Sequence, residues 1–236
     1  MDASDFKPML VTCEVHGEYQ RSVLGSDSHV RWLPGCPQCA REAEGARILG
    51  RAAIPLRFQK KTFDDYLAPQ PRQQAALAIA RTYAETFKEQ LCRGRSMIFC
   101  GLPGTGKTHL ATAILNVIAA AGYFGLYATV YSAVSRVKET WSKGGSERER
   151  DAIASLVLPD LLVLDEVGVQ FNSEAERIIL FEIINGRYEK VRPMVLVSNL
   201  DVKGVEENIG YRAVDRLREG GGRVVVFDWE SHRKAP

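Results

Sequence analysis

The sequence predicts an α/β fold, a parallel sheet sandwiched by helices, with a small separate domain ahead of it. Three observations carry this. Residues 101–108 read Gly-Leu-Pro-Gly-Thr-Gly-Lys-Thr, which fits G-x-x-x-x-G-K-[ST]. From there to the C-terminus, short apolar runs alternate with helical stretches, the pattern of successive βα units. Near the N-terminus, Cys13, His16, Cys36 and Cys39 form two closely spaced pairs divided by a longer gap.

The chain of 236 residues is 45% hydrophobic and 25% charged, enough apolar material for a core in a globular protein. A formal net charge of +2 does not mark a nucleic-acid binder, so any such contact must come from a local patch. No run approaches the ~18 apolar residues of a membrane span, and the N-terminus lacks a signal-peptide core. The expected location is cytoplasmic, with no membrane contact, and there disulfides are disfavoured.

The N-terminal residues come first in order. Cys13-x-x-His16 and Cys36-x-x-Cys39, with Gly17, Pro34, Gly35 and Pro37 around them, have the spacing with which small domains wrap a tetrahedral Zn²⁺. About forty residues bury too little apolar surface to fold alone, and a closed structural metal would supply the difference. The competing reading is incidental thiols and a solvated histidine. Cys92 and Cys100 lie outside the pattern; Cys100, in an apolar run, reads as a small buried residue. The charged, alanine-rich stretch Arg41–Arg51 suits a helix leaving the module, and Ile54-Pro55 interrupts it. The expected division is a zinc module and linker helix over 1–52 and a nucleotide-binding domain over 53–236.

A helix is expected from about Arg72 to Leu91, with Ala76, Ile79, Tyr83 and Phe87 facing the core. The apolar run Ser96–Cys100 then leads into the glycine-rich loop, and His109–Ala121 leads out as a helix. In that context Gly101, Gly104 and Gly106 let backbone N–H groups meet the phosphates of ATP at a helix N-terminus, with Pro103 and Thr105 in the same cofactor-binding loop. Lys107 reaches the β- and γ-phosphates, and Thr108 offers its hydroxyl to Mg²⁺.

Gly125–Thr129 reads as a second strand, followed by a helix from about Tyr131 to Trp141; a break at Lys143–Ser146 and a further helix opening over Glu147–Asp151 come next. Leu161–Glu166 is an apolar run ending in two carboxylates, the Walker B pattern. Asp165 would hold Mg²⁺, and Glu166 would polarise the attacking water as general base. After a helix from about Ser173 to Tyr188, the strand Pro193–Asn199 puts a polar residue at its carboxyl end, which in such sheets faces the ligand crevice. Asn199 is thereby aimed at the γ-phosphate or the hydrolytic water, although asparagine is also an ordinary turn residue. Arg212, Arg216, Arg218 and Arg223 cluster before the last strand, Val224–Phe227; one of them as an arginine finger competes with a solvated basic face.

From about Phe58 to Arg233 the chain resembles the AAA+ ATPases of the DnaC-type replicative helicase loaders, with the related DnaI and IstB proteins. The resemblance is carried by Gly101–His109, Leu161–Gln170, Val197-Ser198-Asn199-Leu200, Tyr211–Arg218 and Phe227-Asp228-Trp229-Glu230-Ser231-His232-Arg233. The resemblance implies an ATPase that loads a replicative hexameric helicase onto single-stranded DNA and self-associates into a ring segment or spiral. It implies that His109 closes the nucleotide-binding motif, that Asn199 is the sensor I residue, Arg216 a finger acting on a neighbouring subunit, and Arg233 the sensor II arginine. It further implies that the Tyr131–Trp141 helix lines a path for single-stranded DNA, with Tyr131 or Trp141 stacking and Arg136 and Lys138 supplying charge. The zinc-bearing N-terminal module would grip the helicase. Two other readings stand beside this one: an IstB-like ATPase directing a DNA transposase, and a metabolic P-loop kinase. Asp165-Glu166, Asn199 and the terminal arginines argue against the kinase.

Overall fold

The structure, a computed structural model, describes residues 7–15, 17–24, 29–40, 52–141, 148–168 and 173–234. Five strands form one parallel sheet: β5 (Met97–Gly101), β6 (Gly125–Thr129), β7 (Leu161–Val167), β8 (Met194–Ser198) and β9 (Arg223–Phe227), in the order β6-β7-β8-β5-β9. Parallel strands need crossovers, and helices supply them on both faces. Alternation divides each strand between two cores. Phe99, Val163, Val195, Val197 and Val225 point into one, packed by the helices α1 (Pro71–Glu85) and α3 (Lys107–Ala120). Ile98, Cys100, Leu162, Leu164 and Leu196 point into the other. That second core is closed by α4 (Val130–Glu139), α5 (Glu149–Val157), α6 (Glu174–Glu189), α7 (Val202–Ile209) and α8 (Tyr211–Arg218). Both faces of the sheet are covered, which is why its strands read as continuous apolar runs rather than alternating ones.

The expected elements recur with small shifts. The helix expected over Arg72–Leu91 is two: α1 ends at Glu85, and the short α2 (Phe87–Cys92) follows after Thr86, whose hydroxyl bonds back to the Thr82 carbonyl. Ala76, Tyr83 and Phe87 are buried and Ile79 is partly so. The helix over Ser173–Tyr188 is α6, capped by the Ser173 hydroxyl on the Glu176 N–H with Glu176 reaching back. The expected helix over Arg41–Arg51 and the break at Lys143–Ser146 lie outside the described residues. Ala52 and Ile54 already pack in the first core, with the Ala52 carbonyl accepting from the Tyr127 N–H.

Ahead of the sheet, β1 (Leu10–Cys13) pairs antiparallel with β2 (Gly17–Gln20), and β3 (Ser22–Leu24) with β4 (Val30–Trp32). Met9 and Arg21 stitch the hairpins together through the Arg21 N–H to Met9 carbonyl and Met9 N–H to Ser22 hydroxyl bonds. Among the described residues of this segment only Ser22 and Cys36 are buried, while Met9, Leu10, Val15, Val30 and Trp32 are exposed. The described residues of this segment therefore form no apolar core of their own to hold it.

Candidate nucleotide site and cysteine cluster

The strand order places the loop after β5 beside β8 on one side and β9 on the other, at the carboxyl ends of the sheet. There a cleft of about 600 Å³ brings together Pro103, Gly104, Gly106, Lys107, Thr108, His109, Asp165, Glu166, Asn199 and Arg233. Gly101 and Thr105 belong to the same loop, Thr105 fully buried beneath it.

The loop is held by its carbonyls. Lys107 Nζ donates to Gly101 O (2.9 Å) and Leu102 O (2.6 Å), and the Thr105 hydroxyl donates to Leu102 O. The Thr105 carbonyl accepts from the Tyr66 hydroxyl (3.0 Å) and from Trp229 Nε1 (3.1 Å), and the Gly104 carbonyl from the His232 N–H (2.9 Å). With these carbonyls turned outward and occupied, the N–H groups of the loop and of the first turn of α3 are left for an anion. Gly106 caps α3 with φ of 92°, and a Cβ there would run into the Tyr66 ring, so geometry and packing both demand glycine. Lys107 is 4% exposed, and burial pulls its ammonium down to about 8 despite Asp165 nearby. A phosphate entering the loop would replace the two carbonyls as partner and favour the charged form further.

The Walker B end is built around Asp165, 5% exposed. One carboxylate oxygen accepts from the Thr108 hydroxyl (2.8 Å) and the Tyr127 hydroxyl (2.9 Å), the other from the Glu166 N–H (2.7 Å). Pairing of β7 with β8 slips between Leu164 and Val167, so one extra residue bulges out of the ladder. Glu166 occupies that bulge with φ of 64°, a left-handed conformation that costs a non-glycine residue on the order of 1–3 kcal/mol. The bulge keeps Asp165 buried and turns Glu166 to the exposed lip of the cleft. Asn199 follows β8 on that lip, and Arg233 reaches it from the segment after β9. His109 Nε2 donates to the Thr62 carbonyl (2.7 Å), its ring edge-on to Tyr66. Thr108 and Asp165 are hard oxygen donors in contact, a set that fits Mg²⁺.

Arg216 does not line this cleft; it lies on α8 between the Phe181 and Tyr188 rings. Tyr131 and Arg136 are exposed on α4, Trp141 donates to Glu149, and Lys138 is ion-paired to Glu176 at 2.7 Å. Four contributors have no role that the sequence assigns: Tyr66, Tyr127, Trp229 and His232. For Trp229 and His232 a signal existed in the Phe227–Arg233 resemblance; for Tyr127 none did, because its contact with Asp165 depends on the β6–β7 register.

In the N-terminal hairpins, the sulfurs of Cys13, Cys36 and Cys39 lie within 4.8 Å of one another, Cys13 and Cys39 at 3.6 Å. Tetrahedral Zn–S bonds of about 2.3 Å place two sulfurs about 3.7–3.8 Å apart, so the set fits that ion. Sharing protons with Cys13 and Cys36, and some burial, push the Cys39 thiol up to about 11. His16 lies outside the described residues.

Comparison with known proteins agrees with this geometry. Residues 42–216 match the family described as IstB-like ATP binding protein. The replicative helicase loader DnaC of Buchnera aphidicola (subsp. Acyrthosiphon pisum) is 37% identical over 188 residues, 80% of this chain and 75% of the relative. The chain belongs to the DnaC/IstB-like family of ATP-binding proteins. DnaC of Escherichia coli K12 is 36% identical over 187 residues, 79% of this chain and 75% of that one. A crystal structure of the DnaC helicase loader superposes with a TM-score of 0.65 at 23% identity, covering 74% of this chain and all of the other, and shows the shared AAA+ fold. Among the described residues no helix is long and apolar enough to cross a membrane.

Proposed function

We propose that this protein is an ATP-dependent loader of a replicative hexameric helicase onto single-stranded DNA. The observation that carries it is the cleft that gathers Lys107, Thr108, Asp165, Glu166, Asn199 and Arg233 in a chain whose DnaC relatives are named replicative helicase loaders. Lys107 and the loop N–H groups hold the phosphates. Thr108 and Asp165 would hold Mg²⁺, which neutralises charge on the β- and γ-phosphates. Glu166 takes the proton of the attacking water while Asn199 orients it, and Arg233 reaches the triphosphate from the C-terminal side. Arg216, away from its own cleft, serves the cleft of the next subunit in a ring segment or spiral. Tyr131, Arg136 and Lys138 on α4 contribute to the single-stranded DNA path, with Lys138 exchanging Glu176 for a phosphate. The ATPase unit spans 53–236 and works in the cytoplasm.

Glu166→Gln is expected to bind ATP with unchanged affinity and to hydrolyse it roughly 10²-fold more slowly, or worse, since only the base is lost. Fluorescent-nucleotide titration beside phosphate release separates the two; loss of binding would make Glu166 a structural residue instead.

Residues 1–52 form the helicase-gripping module, closed by Zn²⁺ on Cys13, His16, Cys36 and Cys39. Elemental analysis should find close to one zinc per chain, absent from Cys36→Ser/Cys39→Ser, with ATP affinity kept. Because thiolates are the ligands, zinc uptake should release protons and weaken as pH falls. A metal-free protein with intact hairpins would refute the assignment.

The match to the IstB-like description favours a second reading, an ATPase that directs a DNA transposase. Gel filtration discriminates: co-elution with a hexameric helicase supports the loader, and binding to duplex DNA with no helicase affinity supports the second reading.

A further inference from the structure

The geometry points to Phe181 and Tyr188 as positioning residues for Arg216, a two-ring clamp that holds its guanidinium charged and unneutralised for an anion brought by a second copy of the chain. This rests on the reading of Arg216 as a finger that acts across a subunit boundary.

Phe181 and Tyr188 sit on α6 seven residues apart, so they share one face at a separation of about 10.5 Å along the axis. The Arg216 guanidinium carbon lies 5.3 Å from each ring centroid, which fills that gap. The Tyr188 hydroxyl donates to Glu219 (2.7 Å), just past the end of α8, and ties its ring to the helix that carries Arg216. An arginine of this kind is ordinarily fixed by a carboxylate, which would spend both its charge and its donors. Among the described residues no carboxylate lies in ion-pair contact with Arg216, and its Nη1 is buried with no acceptor. Aromatic faces attract the cation without accepting its hydrogen bonds. Among the described residues the chain itself therefore spends none of the fork: Nη1 is enclosed without an acceptor, and Nε and Nη2 carry no hydrogen bond. Phe181 and Tyr188 are 38% and 42% exposed, so the clamp opens at the surface, where a neighbouring molecule can approach. Preorganising the fork in this way removes rotamer entropy that it would otherwise lose on meeting a phosphate.

The test compares Phe181→Leu, Tyr188→Leu, the double variant, Tyr188→Phe and Arg216→Ala. Leucine keeps apolar packing but removes the ring face, and phenylalanine at 188 keeps the face but removes the hydroxyl. ATP affinity and thermal midpoint should stay near wild type in all of them. Each leucine substitution should lower kcat about 2- to 30-fold with KM unchanged, while Tyr188→Phe remains close to wild type. Mixing the leucine variants with Lys107→Ala should restore hydrolysis, because an intact Lys107 then meets an intact finger. If the double variant does not fold, the single leucine variants decide. Wild-type kcat in the leucine variants, beside an inactive Arg216→Ala, overturns the clamp and leaves the finger standing. Lost hydrolysis that mixing does not restore also overturns it, since the effect then lies within one subunit. Wild-type hydrolysis by Arg216→Ala defeats the finger and the clamp together.

Discussion

Arg216→Ala is expected to bind ATP nearly as wild type and to lose about 10³-fold or more in hydrolysis, the usual cost of removing an arginine finger. The binding half follows from position. Arg216 lies outside the cleft formed by its own chain, so the phosphates held by Lys107 and the loop lose nothing when it is removed. The hydrolysis half follows from charge: in a subunit boundary closed to water, a guanidinium on the γ-phosphate stabilises developing negative charge that water would otherwise solvate. Mixing with Lys107→Ala separates a finger in trans from a role in cis. Each protein alone has only defective sites, and a mixed boundary can pair an intact Lys107 with an intact Arg216. Regained phosphate release in the mixture is the expected result. Continued inactivity, with the two proteins shown to assemble together, would confine Arg216 to its own subunit.

The second large effect is on stability. Arg187 is 1% exposed and its guanidinium donates to four main-chain carbonyls, those of Leu156, Val157, Pro159 and Pro193, at 2.5 to 3.0 Å. These carbonyls belong to the last turn of α5 and to the approaches of β7 and β8, where helix-end acceptors have no partner of their own. Burial drags the guanidinium down to about 9, yet it remains charged at neutral pH. Arg187→Met keeps the volume and strands the acceptors, and the expected loss is on the order of 3–5 kcal/mol. Urea unfolding reads it directly; a loss below about 1 kcal/mol would mean that water or neighbouring groups replace the arginine readily.

Arg187 also shows where the sequence falls silent. In Asn185-Gly186-Arg187-Tyr188 it looks like any charged residue near a helix end, and nothing local says that it faces inward. The central strands and the nucleotide loop were legible because both have a one-dimensional signature. Apolar runs mark strands covered on two faces, and phosphate binding needs glycines and a lysine at fixed spacing. Asp165 and Glu166 were legible as a pair at a strand end, but the bulge that separates their orientations was not, since it arises from pairing with β8. Tyr66, Tyr127 and Trp229 reach Thr105 and Asp165 from distant parts of the chain, and contacts of that kind exist only once the sheet order is set. The break between α1 and α2 has no glycine or proline to mark it, only the Thr86 hydroxyl that bonds back to the Thr82 carbonyl.

Helicase loading driven by ATP is read out by a closed circle of single-stranded DNA, because a hexameric ring cannot thread onto a circle from an end. The purified protein, a replicative hexameric helicase from the same host and ATP are incubated with the circle, and helicase bound to DNA is isolated by gel filtration. Stable transfer of the helicase to the circle is expected with the wild-type protein, and little transfer with Lys107→Ala or with Cys36→Ser/Cys39→Ser. Transfer that is indifferent to these substitutions, or a protein that neither binds the helicase nor changes its loading, would contradict loading driven by ATP.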